Sequence, residues 1–453
     1  MEEFYEKLNQ EIISKKSIIG VIGLGYVGLP IVESFVKSGF QTIGFDIDDE
    51  KIKKLIQNES YITDFTDKDI EKINEFNRFY PTNKFDKISQ CDVLIICVPT
   101  PLKEDKLTPD LTFLNNSLKS IGENIRRGTL VVLESTTYPF TTSEVVVPYL
   151  EKLGLKVGDD VFVAFSPERI NPGVEKFKFS STPKIVGGKT ERCKQIATAL
   201  YGCVIDKVVP VSKPEVAEMA KLLENTYRYI NIALVNEIET FCSEMDIDIY
   251  EVIEAASTKP FGFEKFYPGP GVGGHCIPID PFYYKWYANE KNFETLLIDA
   301  AFEINANRPK NVFNKAMMRM KGVKNSIITV LGVAYKKNIN DLRESSAIEL
   351  IEMLINNGYE VRFSDAFCNK ILIKADGKSC EMLSVDFNEE LLEKSGLIII
   401  HTDHDYFNYE LLNKYKEKII DTRYALSKFE NEDRLVYKDI VCKDKDVYFE
   451  RQI

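Results

Sequence analysis

At 453 residues the chain exceeds what one hydrophobic core normally organises, so two or three domains are expected, each able to bury a sizeable interior. The 44% apolar and 28% charged fractions are those of an ordinary soluble globular protein. A net charge of -12 removes the electrostatic case for nucleic acid or an anionic membrane as partner, since both require clustered positive charge. Any anionic ligand must be held by local donors.

Residues 1–16 (MEEFYEKLNQEIISKK) are charged throughout and lack the apolar core of a secretion signal. No later segment offers the roughly 18 uninterrupted apolar residues of a membrane span. Nine cysteines, odd in number and without a Cys-x-x-Cys pair, argue against a disulfide framework and a zinc ribbon. Reduced thiols in the cytoplasm are the expectation.

A β-branched run at 17–22 ends at Gly23-Leu24-Gly25-Tyr26-Val27-Gly28. Helical periodicity follows through Val32, Phe35 and Val36 to Gly39, and a second strand at 41–45 ends on Asp46. Strand, glycine turn, helix, strand and acid in this order and spacing mark a dinucleotide-binding unit. Gly23 permits the bend, Gly25 lets backbone approach a pyrophosphate, and Gly28 allows close helix packing, while the helix N-terminus offers amide donors. Asp46 is expected to accept from an adenosine ribose and repel a 2′-phosphate, favouring NAD over NADP. Lys51 either flanks that ribose or is a solvated helix lysine. Further strands at 93–98, 130–134 and 161–165 alternate with helical segments, which predicts a doubly wound parallel sheet.

Pro214 opens a stretch reaching about residue 246 in which Val216, Ala220, Leu223, Tyr227, Ile230, Leu234 and Ile238 recur at helical spacing. This predicts one long amphipathic helix opening a middle domain. The Gly- and Pro-rich segment 260–281 interrupts that helical region, and long irregular loops in compact domains tend to be functional. From residue 326 a second α/β unit follows: a strand at 327–333, a helix at 347–356, Gly358, and a strand at 360–363 ending at Asp365. It lacks the three-glycine turn, so a second Rossmann-like domain binding something other than NAD is expected. No low-complexity tract and no repeat of 20–50 residues is present.

Cys276 lies in Tyr267-Pro268-Gly269-Pro270-Gly271-Val272-Gly273-Gly274-His275-Cys276, four residues before Asp280. A lone cysteine is more often an inert small hydrophobe than a nucleophile. Here a glycine loop can bring backbone close to a ligand, and a cationic neighbour would supply the reactive thiolate. Lys221, with Asn225 one turn on, is a candidate cation; both could instead be solvated helix positions.

The sequence resembles the UDP-glucose/UDP-N-acetylhexosamine 6-dehydrogenase family from about residue 17 to 430. The resemblance rests on seven motifs in family order: 23–30, Val98-Pro99-Thr100-Pro101, Glu134-Ser135-Thr136-Thr137, Ser166-Pro167-Glu168-Arg169, 220–225, 269–276 and 341–346. It implies that the sugar C6 hydroxyl loses a hydride to NAD while Lys221, or a water held by Asp280, removes the proton. Cys276 would capture the aldehyde, and a second oxidation would give a thioester. Glu168 and Thr136 would position the hydrolytic water, with Lys221 and Asn225 stabilising the oxyanion. The resemblance also places Thr100, Thr136 and Arg343 at the cofactor, and Glu168, Arg169, Tyr267, Gly271, Gly273, Lys336 and Arg423 at the UDP-sugar. Isolated basic residues can equally serve in surface salt bridges.

Two departures from the UDP-glucose branch stand out. Pro172 replaces a second acid four residues after Glu168, and His275 precedes the nucleophile where serine is usual. With 258–263 (TKPFGF), these resemble the branch acting on UDP-N-acetylhexosamines, most closely UDP-N-acetylglucosamine, as in precursor synthesis for surface polysaccharide. His275 reads as structural or substrate-orienting rather than as a base. His401 and His404 read as ordinary polar loop residues, without a third ligand for a metal.

The expected architecture is α/β: an N-terminal NAD-binding Rossmann domain (1–211), a helical middle domain (212–318) and a C-terminal UDP-binding Rossmann-like domain (319–453). The long central helix would provide a dimer surface. One rival is a β-hydroxyacid dehydrogenase of the 6-phosphogluconate type, which would transfer one hydride and need no cysteine. The other is a nucleotide-sugar sensor with an idle site.

Overall fold

Short runs of Val, Ile, Leu and Phe in the first half of the chain can be shielded from water on both faces only by lying side by side under helices. They form β1 (Ile18–Ile22), β2 (Gln41–Phe45), β3 (Phe79–Thr82), β4 (Val93–Ile96), β5 (Leu130–Leu133), β6 (Phe162–Phe165), β7 (Lys184–Gly188) and β8 (Val208–Val211). The computed structural model describes residues 2–62, 65–103, 107–169, 180–274, 276–323, 326–375 and 377–427. Pro172 and His275 lie outside the described residues.

These strands join in the order β3-β2-β1-β4-β5-β6-β7-β8. All pairs are parallel except β6 with β7. The doubly wound sheet read from the sequence is therefore present, with one antiparallel junction near its far edge. The two-residue period of a strand sorts side chains between two cores. Ile19, Val21, Val93, Ile95 and Val132 join Phe35 and Leu200, whereas Ile22, Leu94, Ile96, Val131 and Leu133 join Leu118 and Leu150. The helix Glu2–Ile13, which composition alone did not suggest, buries Leu8 and Ile12 in the first of these cores.

The chain divides into two compact units, Met1–Tyr227 with Ile279–Thr295, and Arg228–Pro278 with Leu296–Ile453. The second unit holds β9 (Ile327–Leu331), β10 (Glu360–Ser364), the antiparallel hairpin β11 (Lys370–Ala375) and β12 (Lys378–Leu383), then β13 (Ser395–Ile400) and β14 (Ile419–Asp421). Its main sheet is parallel, ordered β10-β9-β13-β14, and packs under the helix Ser346–Asn356. Helices Ile249–Ser257, Leu296–Ala306 and Arg308–Arg319 belong to the same unit.

One helix spans Pro214–Glu244, within two residues of the expected end. The covered face, which also buries Ala217, Leu222, Tyr229 and Ala233, is not the expected apolar stripe. Of the apolar stripe, Val216, Leu223, Tyr227, Leu234 and Ile238 are exposed, while Glu218, Lys221, Asn225 and Asn236 are buried. The solvated alternative for Lys221 and Asn225 is thereby excluded. Among the described residues no helix is long and apolar enough to cross a membrane.

Candidate active site

The glycine turn after β1 is built by close backbone approach. Gly23 has φ +95°, and a Cβ there would stand 2.7 Å from the Cys97 carbonyl oxygen. At Gly28 a Cβ would stand 1.9 Å from the Gly23 carbonyl oxygen, so both positions exclude a side chain. Gly25 is different: nothing lies within 4 Å of where its Cβ would be, leaving open space over the backbone. The helix Gly28–Lys37 starts there, and its N-cap Val27 makes no side-chain capping bond. Asp46, at the end of β2, accepts from Leu24 N–H at 3.0 Å and Asp48 N–H at 3.0 Å, and pairs with Lys51 Nζ at 3.2 Å. Tyr61 donates to the Leu24 carbonyl and supports the turn from behind, while Tyr26 stays exposed.

Thr100 and Thr136 are brought together: the buried Thr100 hydroxyl donates to the Thr136 carbonyl at 2.6 Å. Thr136 hangs from a fully buried ion pair at the end of β5, where Glu134 accepts from Lys184 at 2.5 Å and from Tyr201. Glu168 is half-buried just beyond β6. Beside it Arg169 forks onto Glu224, at 2.5 and 3.2 Å, and donates to the Pro183 carbonyl.

Lys221, Asn225 and Asp280 form a second buried polar group of the first unit, all under a tenth exposed. Lys221 and Asn225 share one helix face at i and i+4. Asn225 donates to Asp280, which opens the helix Asp280–Glu290. Burial pushes the Asp280 carboxyl up to about 6, against the opposing pull of the Lys221 ammonium and the Asn225 hydrogen bond.

In the second unit the loop carrying Cys276 is anchored at its start. Gly269 N–H donates to Asn236 at 2.9 Å and its carbonyl accepts from Arg308 at 2.9 Å, with Arg308 paired to Glu239. A Cβ on Gly271 would meet Ser346 Cβ at 2.5 Å, and one on Gly273 would meet Tyr335 Cβ at 2.5 Å. Gly274, with φ +91°, lies over the Tyr335 ring and donates to the Arg343 carbonyl at 2.9 Å. The glycines expected to admit a ligand thus let the loop lie down on its own chain. Cys276 itself is exposed. Tyr267 is also exposed; it stacks at 6.0 Å on Tyr250 and donates to Glu254. Lys336 is half-buried in the loop after β9. Arg343 forks onto Asp341, and Arg423 donates to the His401 carbonyl at 2.9 Å.

Three stretches match successive parts of one protein family. Residues 17–205 match the NAD-binding domain of the UDP-glucose/GDP-mannose dehydrogenase family, 215–307 its central domain and 329–428 its UDP-binding domain. The chain belongs to this family. It is 35% identical over 450 residues to a UDP-N-acetyl-D-mannosamine dehydrogenase of Methanocaldococcus jannaschii, covering 95% of this chain and 98% of that one. It is 36% identical over 353 residues to a UDP-N-acetyl-D-glucosamine 6-dehydrogenase of Pseudomonas aeruginosa, covering 77% and 82%. Among solved structures, a UDP-D-ManNAc dehydrogenase of Pyrococcus horikoshii superposes with a TM-score of 0.80 at 32% identity, covering 90% of this chain and 96% of the other.

As a member of this family the chain is an NAD-dependent UDP-sugar dehydrogenase. The first unit fits that cofactor: open space over Gly25 leaves room for a pyrophosphate, and Asp46 stands at the end of β2 where a ribose is held. Lys51 is paired with Asp46 and only a third exposed, so it is not a fully solvated lysine.

One expectation is corrected outright. His401 and His404 are not ordinary polar loop residues but are 1% and 0% exposed, each with both ring nitrogens in hydrogen-bonding contact. Sequence reasoning also missed Tyr335 and Ser346 beneath the Cys276 loop, and Asn236 and Arg308 at its root. Asn236 carried a signal: it continues the 221, 225, 229, 233 face of the long helix, where a polar residue amid buried neighbours needs a partner.

Two measurements check the first unit. For Asp46→Ala, KM for NAD should rise on the order of tenfold while discrimination against NADP relaxes; an unchanged cofactor preference would contradict the ribose assignment. Asp280 lies above the ordinary carboxyl value of 3.8, so its ionisation opposes folding, and its contribution to stability declines as pH rises from about 4 to about 6. Unfolding free energies of Asp280→Asn and parent should therefore converge or cross in the variant's favour over that window, by roughly 3 kcal/mol at full effect. A pH-independent difference would refute the shift.

Proposed function

We propose that the protein oxidises the C6 hydroxyl of a UDP-N-acetylhexosamine to the carboxylate in two steps through Cys276. The observation that carries this reading is the buried Lys221, Asn225 and Asp280 group, whose acid sits near neutrality. Such a group can exchange a proton with an alcohol, and it belongs to a family that oxidises one.

Gly23, Leu24, Gly25, Tyr26, Val27, Gly28, Asp46, Lys51, Thr100, Thr136 and Arg343 would hold NAD, which when bound supplies the hydride acceptor for each oxidation. Lys221, or a water held by Asp280, takes the C6 hydroxyl proton as the hydride leaves. The Cys276 thiolate then adds to the aldehyde carbon, giving a thiohemiacetal whose oxidation leaves a thioester. Water positioned by Glu168 and Thr136 attacks the thioester, the C–S bond breaks, and the thiolate returns. Lys221 and Asn225 stabilise the oxyanion that forms in capture and in hydrolysis. Covalent capture keeps a reactive aldehyde from escaping between oxidations. Arg169, Tyr267, Gly271, Gly273, Lys336 and Arg423 orient the UDP-sugar, with two cations for the diphosphate. The spans 1–211, 212–318 and 319–453 serve NAD, the central scaffold and UDP respectively, in a cytoplasmic setting that suits unbridged thiols.

The departures at Pro172 and His275 support UDP-N-acetylglucosamine. The full-length similarity to a mannosamine enzyme supports its manno epimer as the second reading. A panel of UDP-N-acetylglucosamine, its manno and galacto epimers and UDP-glucose, each scored for NADH per sugar, tests both. Two NADH per sugar on an N-acetylated substrate is expected; one per sugar, or turnover of UDP-glucose alone, would sink the proposal. Cys276→Ser should abolish uronate formation, and undiminished uronate would refute covalent catalysis.

We further propose a homodimer through the long helix. Leu234 and Phe241 are 51% and 59% exposed two turns apart, with the exposed Ile238 between them, and Leu296 and Leu297 on the helix Leu296–Ala306 are exposed as well. Apolar surface of this extent calls for cover, and a second copy supplies the same surface. Sedimentation should give a dimer that Phe241→Glu weakens at least tenfold, whereas a monomeric parent would exclude it.

A further inference from the structure

The His401-Thr402-Asp403-His404 segment at the end of β13 has no part in the chemistry above, yet it is among the most completely buried polar stretches of the second unit. His404 Nδ1 accepts from Asn338 N–H at 2.9 Å, so its proton sits on Nε2, 3.0 Å from Asp365 Oδ2. That same oxygen accepts from Val333 N–H at 2.8 Å and from Ala334 N–H at 3.3 Å. His404 therefore pins the 333–338 turn at both ends, directly at Asn338 and through Asp365 at its start. Phe367 stacks on the imidazole at 5.1 Å and Phe407 meets it edge-on at 5.9 Å, which fixes the ring.

A second chain of bonds runs in parallel. Thr402 donates to the Ala334 carbonyl at 2.6 Å, so its oxygen is free to accept from His401 Nδ1 at 3.1 Å. His401 Nε2 in turn accepts from Ser346 at 2.9 Å. The turn held in this way carries Tyr335 and Lys336. Tyr335 and Ser346 are the groups on which Gly271, Gly273 and Gly274 of the Cys276 loop rest.

We propose that His404, together with Thr402 and His401, is a positioning element that holds Lys336 and the Cys276 loop in register through one buried scaffold. The inference rests on the reading that Lys336 meets the UDP diphosphate and that Cys276 is the nucleophile. Its consequence is selective: loosening the turn harms recognition of the uridine nucleotide, while the NAD-binding turn is untouched.

The test uses the full chain and UDP itself as probe. His404→Phe fills the aromatic cage but makes no hydrogen bond, whereas His404→Gln retains one acceptor and one donor. Calorimetry should show the Kd for UDP raised about tenfold in His404→Phe and largely restored in His404→Gln, with KM for the UDP-sugar following it and KM for NAD unchanged. Should His404→Phe fail to fold, Thr402→Val, which loses the bonds to the Ala334 carbonyl and to His401 but keeps the His404 clamp, should still weaken UDP at least threefold. UDP affinity within twofold of the parent in the folded variants, or an equal rise in KM for NAD, would overturn the positioning role while leaving the catalytic reading intact. A parent that binds no UDP would overturn both.

Discussion

A lysine ammonium and an aspartate carboxylate taken out of water together are the constraint around which the first unit is arranged. Removing either ion from solvent costs several kcal/mol, and mutual attraction offsets this only when geometry is held tightly and remaining lone pairs are satisfied. The tightness comes from regular structure. Lys221 and Asn225 are one turn apart on a helix thirty-one residues long, and Asp280 opens a helix whose N-terminal dipole favours a negative charge. That second helix is locked by aromatic packing: Tyr138 meets Trp286 at 4.8 Å and stacks on Tyr287 at 5.5 Å, and Phe140 stacks on Tyr287 at 5.4 Å. Phe140 adopts φ +73°, which a bulky side chain resists, and Glu218 of the long helix holds it by accepting its N–H and that of Thr142. Even so, desolvation wins at Asp280. The result is a carboxyl near neutrality, able to give and take a proton where a solvated one would remain ionised.

The same constraint separates what could be read from the sequence from what could not. Strands β1, β2, β4, β5 and β6 were legible nearly to the residue, because runs such as VLII and LVVL have only one comfortable fate. The acid and glycines of the first turn were legible because their spacing is itself the mechanism. Burial of Lys221 and Asn225 was not, since periodicity reports which face of a helix is apolar rather than which face is covered. On this helix the two differ: Leu223 is 65% exposed, and Lys221 two positions earlier is 8% exposed. His401 and His404 were misread for a related reason. A polar pair after an apolar strand looks solvated unless its partners are known, and Ser346, Asn338 and Asp365 lie 39 to 66 residues away along the chain. The Cys276 loop was half legible: its glycines announced close approach, but the surface approached, Tyr335 and Ser346, was visible only once folded.

The two units also show how one topology can be opened or closed to a ligand by what surrounds a single acid. Asp46 follows β2 and Asp365 follows β10, equivalent places beside the first strand of each sheet. Asp365 is consumed by its own chain: Val333, Ala334, Phe367 and Cys368 donate backbone N–H groups to it, and His404 adds a fifth donor. Burial alone would raise its carboxyl, yet these bonds hold it below the usual range. The glycine directly after the first strand is tight in both units, for a Cβ on Gly332 would stand 2.4 Å from the Thr402 carbonyl oxygen and one on Gly23 2.7 Å from that of Cys97. An acid with five donors already on it has little acceptor capacity left for a ribose. Where Asp46 in the first unit carries three donors, the second Rossmann-like sheet thus spends its acid on an internal clamp that fixes the turn carrying Tyr335 and Lys336.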